Sequence, residues 1–417
     1  MKETFAQKVL ARKAGLDHVT PGQIVTVRPD VLLTHDNTAA IIAKISDELD
    51  KYGVHDPNAH VIVLDHVVPA ASEKTAQNHA EIRRYVRAHH IRHFFDAGAG
   101  ICHQIMMETG IARPGRLILG SDSHTCTYGA LNAFSTGIDR TEAAALILTG
   151  ETWLKVPHSI RVGLKGALRP GVSAKDFILT LIGDIGADGA SYGSVEFHGE
   201  IESLSMDERM TIANMGIEMG AKNAVFPCDA LCESLCGAFP EAFDCESLWA
   251  DPDADYVNRL EYDLSAIEPV LALPHQVDHV VPVREAAGRP VQQVLIGTCT
   301  NGRVTDFEAA AVILKGKQVS PDCRLLLLPA SRAVLEQCMA SGVMQTLIRA
   351  GGILLPPGCG PCLGAHQGVL APGEVCLSTA NRNFKGRMGC VDAEIILAGP
   401  QTAAWSAIDG KICNPVG

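Results

Sequence analysis

VQQVLIGTCTNGRVTDFEAAAVILKGKQVSPDCRLLLLPAS, residues 291–331, is the stretch that decides the fold. An apolar run over 291–296 breaks at Gly297, and a polar loop follows. DFEAAAVILKG (306–316) then carries helical spacing, and RLLLLPAS (324–331) returns to an apolar run. Strand, loop, helix and strand in that order read as a parallel pair joined by a crossover helix. Toward the C-terminus the alternation continues. A helix is predicted over RAVLEQCMASGVMQTLIRAG (332–351), a strand in GILLPP (352–357), a loop with Cys359 and Cys362, and a strand in VCLSTANRNF (375–384). Toward the N-terminus, a strand at 61–64 precedes the helix-like EIRRYVRAHH, and a strand at 117–119 opens RLILGSDSHTCTYGA. The pattern predicts an α/β fold of three domains with mostly parallel sheets around a central crevice: 1–157, 158–285 and 286–417.

Composition narrows the function classes. The chain has 417 residues, 47% of them hydrophobic, and a net charge of −12 with no basic stripe, which argues against nucleic acid as the partner. No run of about 18 apolar residues lacks charges or breakers, and MKETFAQKVLARK lacks the apolar core of a signal peptide. A cytoplasmic protein with no membrane partner is expected. Its 14 cysteines are then thiols or metal ligands, not disulfides.

Three of those cysteines stand apart: Cys299 in IGTCTNGR, and Cys359 and Cys362 in PPGCGPCLG. Four thiolates close every corner of a [4Fe-4S] cluster and make an electron-transfer centre. Three leave one iron open, the arrangement that separates catalytic from structural metal sites. His366, four residues after Cys362, leaves a C-x2-C-x3-H zinc site with Cys299 open as an alternative. A closed metal site from Cys228, Cys232, Cys236 and Cys245 is a further one, although no histidine completes it.

Nearly every other suggestive residue also follows a short strand, where ligands of open α/β sheets gather. Asp65 adjoins His66 in LDHVVP, Asp122 and Ser123 adjoin His124 in SDSHTC, and His103 follows a glycine-rich turn in GAGICHQIM. A carboxylate on one imidazole nitrogen fixes the tautomer and raises the basicity of the other, as proton transfer requires. The bland reading makes the Asp and Ser residues helix caps beside surface histidines. Arg382 and Arg387, with Asn381, lie on the loop STANRNFKGRMG, and Arg303 follows Cys299. Arginine forks suit a dicarboxylate or tricarboxylate.

Taken together, GAGICHQI, GSDSHT, TIANMGIEMGA, GTCTNGR, GCGPCLG and STANRNFKGRMG resemble the aconitase family, in the order that family shows. The resemblance implies an aconitase-like fold and a hydro-lyase with one [4Fe-4S] cluster on Cys299, Cys359 and Cys362, with one iron open. It implies that Asn381 lies against the cluster and that Asp65 and His66 form one catalytic pair. His103 is expected to pair with Asp122, and His124 with Glu218. Ser123, Asn214, Arg303, Arg382 and Arg387 are expected on the substrate side. The THD segment (Thr34 to Asp36) and the short length look most like the two-chain branch of the family, which acts on 2-substituted malates: isopropylmalate first, then dimethylmalate and homoaconitate. Single-chain members carry a further swivelling domain with the catalytic serine. The resemblance therefore implies a small-subunit partner bearing that fourth domain. RNA binding, known for some cluster-free relatives, is the non-enzyme alternative.

Overall fold

The computed structural model describes residues 2–236 and 245–416, excluding the side chains of 236, 245 and 246. The four-cysteine alternative at Cys228, Cys232, Cys236 and Cys245 thus lies partly outside the described residues. The runs Val31–Thr34, His60–Val63, His93–Phe95, Leu117–Gly120 and Phe134–Gly137 form one wholly parallel, five-stranded sheet. Successive residues bury on opposite faces. Leu32, Ile62 and Leu119 pack with Phe5, Leu10, Ile82 and Leu146 from helices on one side. Leu33, Val61, Val63 and Ile118 pack with Ile105, Met106 and Tyr128 on the other. Burial on both faces is why these strands read as unbroken apolar runs.

A second parallel sheet holds Ser159–Lys165, Ser194–Gly199, Asn223–Val225 and Asn258–Asp263. The third has seven strands. Five of them, Gln293–Gly297, Arg324–Leu328, Ile353–Leu354, Val375–Ser378 and Glu394–Leu397, are parallel. Val270–Ala272 and Val280–Pro282, which precede residue 286, add an antiparallel edge to it. The helix predicted over 332–351 is two helices, Arg332–Ala340 and Val343–Arg349. Gly342, at φ 77°, takes the left-handed conformation that ends the first.

Counted in chain order, the five parallel strands of the first sheet lie 3-2-1-4-5, and so do the five of the third. In such a doubly wound sheet the order reverses between strands 1 and 4, and ligands bind at their carboxyl ends there. In the first sheet that point lies between Val31–Thr34 and Leu117–Gly120, and in the third between Gln293–Gly297 and Val375–Ser378.

His60, at the start of its strand, is buried with Nε2 2.9 Å from Thr34 Oγ1 and Nδ1 3.3 Å from the Tyr85 hydroxyl. Burial pulls its imidazole down to about 3. It folds neutral, while the unfolded chain takes up a proton below about pH 6.5. Its contribution is therefore complete above that pH and lost as pH falls toward 3. Relative to the native chain, His60→Gln should gain up to about 1.4 kcal/mol for each pH unit below 6.5. Denaturant titrations of both chains at pH 7 and pH 5 read this directly, and an unchanged difference would mean the ring titrates as if in water.

Candidate active site

Each switch point delivers chemistry to one crevice. From the first sheet, Asp36 follows Val31–Thr34 and accepts from the backbone N–H groups of Asp65, His66 and Val67, at 2.9, 2.8 and 3.1 Å. His79 Nε2 lies 2.8 Å from the same carboxylate. Burial pushes Asp36 up, but the His79 hydrogen bond and the nearby imidazoles win and hold it below the usual carboxylate range. Asp36 thereby shapes the turn that presents Asp65 and His66.

His66 Nδ1 is 2.6 Å from Asp65 Oδ1, and its Nε2 is 3.4 Å from Asp122 Oδ2. Burial alone would lower this imidazole. The Asp65 charge and the Asp122 hydrogen bond outweigh it and raise His66 well above its ordinary value. His35 stacks on the same ring, with centroids 3.8 Å apart. Burial, then the His66 charge, push His35 down to about 4. The two stacked rings are thus pushed in opposite directions, His35 down and His66 up.

Asp122 caps the 3-10 turn Ser123–Leu131, accepting from His124 N at 2.8 Å. It also lies 2.7 Å from His103 Nε2. Burial opposes its charge, yet hydrogen bonds from His103, His124 and His66 hold it well below the carboxylate range. The buried Tyr128 hydroxyl lies 3.0 Å from His103 Nδ1, so the His103 ring is held at both nitrogens. His124 Nε2 is 2.9 Å from Glu218 Oε1, which also accepts from Arg382 Nε at 2.8 Å. Ser123 Oγ stands 3.5 Å from His124 Nδ1.

The third sheet supplies the sulfurs. Gly297 (φ 149°) and Thr298 (φ 76°) bend the chain into the short helical turn Thr298–Asn301, which carries Cys299. A left-handed β-branched residue is strained, and such strain is characteristic of functional turns. A Cβ on Gly297 would sit 2.2 Å from the Leu328 carbonyl oxygen, so only glycine allows the approach. Cys359 N donates to the Asp65 carbonyl at 2.7 Å, joining the cysteine loop to the histidine loop. Asn214 and Asn381 aim Nδ2 at Cys299 Sγ, at 3.3 and 3.5 Å, and Arg387 Nη2 lies 3.5 Å from Cys362 Sγ. Burial pushes the Cys299 thiol up to about 12 and Cys359 well above its ordinary value. In such surroundings a thiolate requires a cation beside it.

These residues fit a polynuclear group better than one zinc ion. Tetrahedral zinc holds thiolate sulfurs about 3.8 Å apart. Among the described residues, no cysteine belongs to a set of three ligand atoms lying within 4.8 Å of one another. Yet Cys359 feels the charge of both Cys299 and Cys362. Sulfurs that are spread apart, with N–H donors facing those of Cys299 and Cys362, match the larger span and hydrogen-bonding needs of an iron–sulfur cluster.

Arg303 is placed away from the crevice. It is 1% exposed, and its guanidinium donates to the carbonyls of Cys299 and Thr300 at 2.7 and 2.8 Å. It braces the Cys299 turn from behind, which leaves Arg382 and Arg387 as the arginines of the crevice. Asn214 likewise faces sulfur, with its Oδ1 accepting from Thr300 Oγ1 and Asn381 Nδ2. Sequence reasoning used His35 and Asp36 only as part of the THD family marker, gave them no role in the site, and singled out neither His79 nor Tyr128. The first two had a usable signal, since THD directly follows an apolar strand just as LDH does. Lys175 went unremarked as well. It is wholly buried, and burial pulls its ammonium down to about 7.

The family model for aconitase (aconitate hydratase) matches residues 7–410. The chain is 46% identical, over all its length and 99% of the relative's, to 3-isopropylmalate dehydratase large subunit 1 of Methanopyrus kandleri. It is 49% identical, over 93% of its length and 98% of the relative's, to the probable methanogen homoaconitase large subunit of Methanosarcina mazei. In fold it is similar to the holo-form of Thermococcus kodakaraensis aconitase X, with a TM-score of 0.51 at 14% identity, covering 90% of this chain and 89% of that one. Among the described residues no helix is long and apolar enough to cross a membrane. With two doubly wound sheets meeting over imidazole–carboxylate pairs and buried cysteines, and a family model matched along nearly its whole length, the chain belongs to the aconitase family.

Proposed function

We propose that this chain is the large subunit of a two-chain hydro-lyase that interconverts 2-isopropylmalate and 3-isopropylmalate by dehydration and rehydration, a step of leucine biosynthesis. The observation that carries the reading is the convergence of three imidazole–carboxylate pairs on the buried cysteine loops. The aconitase family implies an iron–sulfur cluster. Cys299, Cys359 and Cys362 would hold a [4Fe-4S] group and leave one iron without a protein ligand. Bound there, it supplies Lewis acidity toward a hydroxyl.

The chain's own residues then divide the remaining tasks. His66, kept protonated by Asp65 and Asp122, donates a proton to the departing hydroxyl from Nε2. His103 and His124, fixed by Asp122 and Glu218, orient the hydroxyl or water. Arg382 and Arg387 hold the substrate carboxylates, so the reacting atoms stay aligned between the two half-reactions. The names of the relatives, each a large subunit, support a small-subunit partner. In our reading that partner brings a swivelling fourth domain with the base, set against three α/β units at 1–157, 158–285 and 286–417.

A second reading, the large subunit of a homoaconitase, is favoured by the 49% identity to the Methanosarcina relative. Dimethylmalate is a further substrate of the same malate core. Anaerobic assays of the reconstituted chain with its small subunit decide among them. Turnover of 2-isopropylmalate well above that of homoaconitate and dimethylmalate is expected, and preference for either of the others would overturn the substrate. Iron and sulfide analysis of the same sample separates the cluster from a zinc site.

A further inference from the structure

Lys175 is the second residue of the helix Ala174–Ile185 and is fully buried. Its Nζ donates to the Thr379 carbonyl at 2.9 Å and to the Ala380 carbonyl. Those carbonyls immediately precede Asn381, whose Nδ2 faces Cys299 Sγ at 3.5 Å and whose Oδ1 lies 3.9 Å from Cys362 Sγ. Three features make the ammonium costly. A buried charge needs a partner of opposite sign. The first turn of a helix carries the positive end of the macrodipole, which disfavours a cation. The adjoining carboxylate is turned elsewhere: Asp176 accepts from Ser173 N and Oγ and from Val270 N, at 2.8, 2.7 and 3.1 Å. Among the described residues Lys175 forms no ion pair, whereas the buried Arg209 pairs with Asp229 at 2.6 Å and the buried Arg303 lies 4.0 Å from Asp207. The charges that do favour the ammonium are led by the Cys362 sulfur, followed by the Asp176 carboxylate, Cys299 and Asp306.

We propose that Lys175 is the counter-charge of the thiolate-bound group: a buried cation whose partner is not a carboxylate of this chain but the cluster itself. The proposal rests on the cluster reading above. Three thiolates outweigh the positive charge of an oxidised cubane core, so the assembled group is anionic. Lys175 meets that charge through the turn that carries Asn381. It is a positioning and charge-balancing residue, not a catalytic one, since it touches neither substrate nor reacting atoms. The same charge opposes loss of the cluster and eases its one-electron reduction.

Two substitutions separate charge from bracing. Lys175→Gln keeps N–H donors for the two carbonyls but removes the charge, and Lys175→Met removes both. The native chain and both variants are reconstituted anaerobically with iron and sulfide. Iron release to a chelator and the reduction potential, followed by electron paramagnetic resonance during dithionite titration, are then measured. Both variants should release iron about 10-fold faster or more, and both should be reduced at a more negative potential than the native protein. The metal-free Lys175→Gln chain should melt no lower than the metal-free native chain, because the unpaired ammonium stabilises nothing without its anion. Native-like retention and potential in Lys175→Gln would overturn the proposal, even if Lys175→Met lost iron. Failure of metal-free Lys175→Gln to fold would also overturn it and leave Lys175 as a brace only. If the native chain itself takes up no iron and sulfide, the cluster reading falls and takes this one with it.

Discussion

Cys359→Ser should give a folded chain that holds no cluster, shows no visible absorbance and turns over no substrate. Cys359 is only half-buried, on a loop anchored by its own backbone N–H to Asp65, so the hydroxyl costs little packing. On the cluster reading its loss of function should be complete, because Cys299, Cys359 and Cys362 would be the whole ligand set and a serine hydroxyl is a far weaker partner for iron than a thiolate. Iron and sulfide per chain, absorbance and turnover should fall together. Cys338 provides the control. It is fully buried in the apolar core of the third sheet, away from the crevice. Cys338→Ser should cost stability, about 1–3 kcal/mol for an unpaired buried hydroxyl, and leave iron content intact. Full turnover in Cys359→Ser, or equal iron loss in Cys338→Ser, would sink the assignment.

Asp122→Asn should lower turnover by about 10²- to 10⁴-fold with the fold intact. One carboxylate here serves His103 at 2.7 Å, the His124 backbone at 2.8 Å and His66 at 3.4 Å. An amide has a single acceptor oxygen, and its NH₂ would face a ring N–H, so at least one imidazole must rotate or change tautomer. The sign of the pH effect follows from His66. That imidazole is raised first by the Asp65 charge and next by the Asp122 hydrogen bond. Removing the second lowers it, so the protonated form disappears at lower pH. The alkaline limb of the dehydration rate should therefore move toward neutrality. A variant that keeps half its turnover, or whose alkaline limb does not move, would remove Asp122 from the centre of the network.

Much of this site was legible because of where parallel sheets put their ligands. Asp65, Asp122, Cys299 and Asn381 each follow an apolar run, and a single rule about strand ends collected them. The strand order was not legible. Nothing in the residues says that Leu117–Gly120 crosses back beside Val31–Thr34, yet that crossing sets the Asp122 carboxylate near His66. Arg303 shows the limit of proximity in sequence. Four residues from Cys299, its side chain follows the helical turn backward onto carbonyls instead of forward into the crevice. Lys175 shows the limit of composition. A lysine in the first turn of an amphipathic helix reads as solvated, and only tertiary packing reveals that it is sealed under the Asn381 turn.

Cys299 is not housed by its own sheet alone. It packs in one apolar cluster with Val31, Leu33, Val61, Val63, Ile105 and Met106, all from the first sheet and its helix. Residues that donate nothing to iron therefore set the tightness of the grip upon it. On the cluster reading, the brown colour of the holoprotein becomes a strain gauge for a distant core. Trimming a methyl group from Ile105 should be visible as bleaching before it is visible as unfolding.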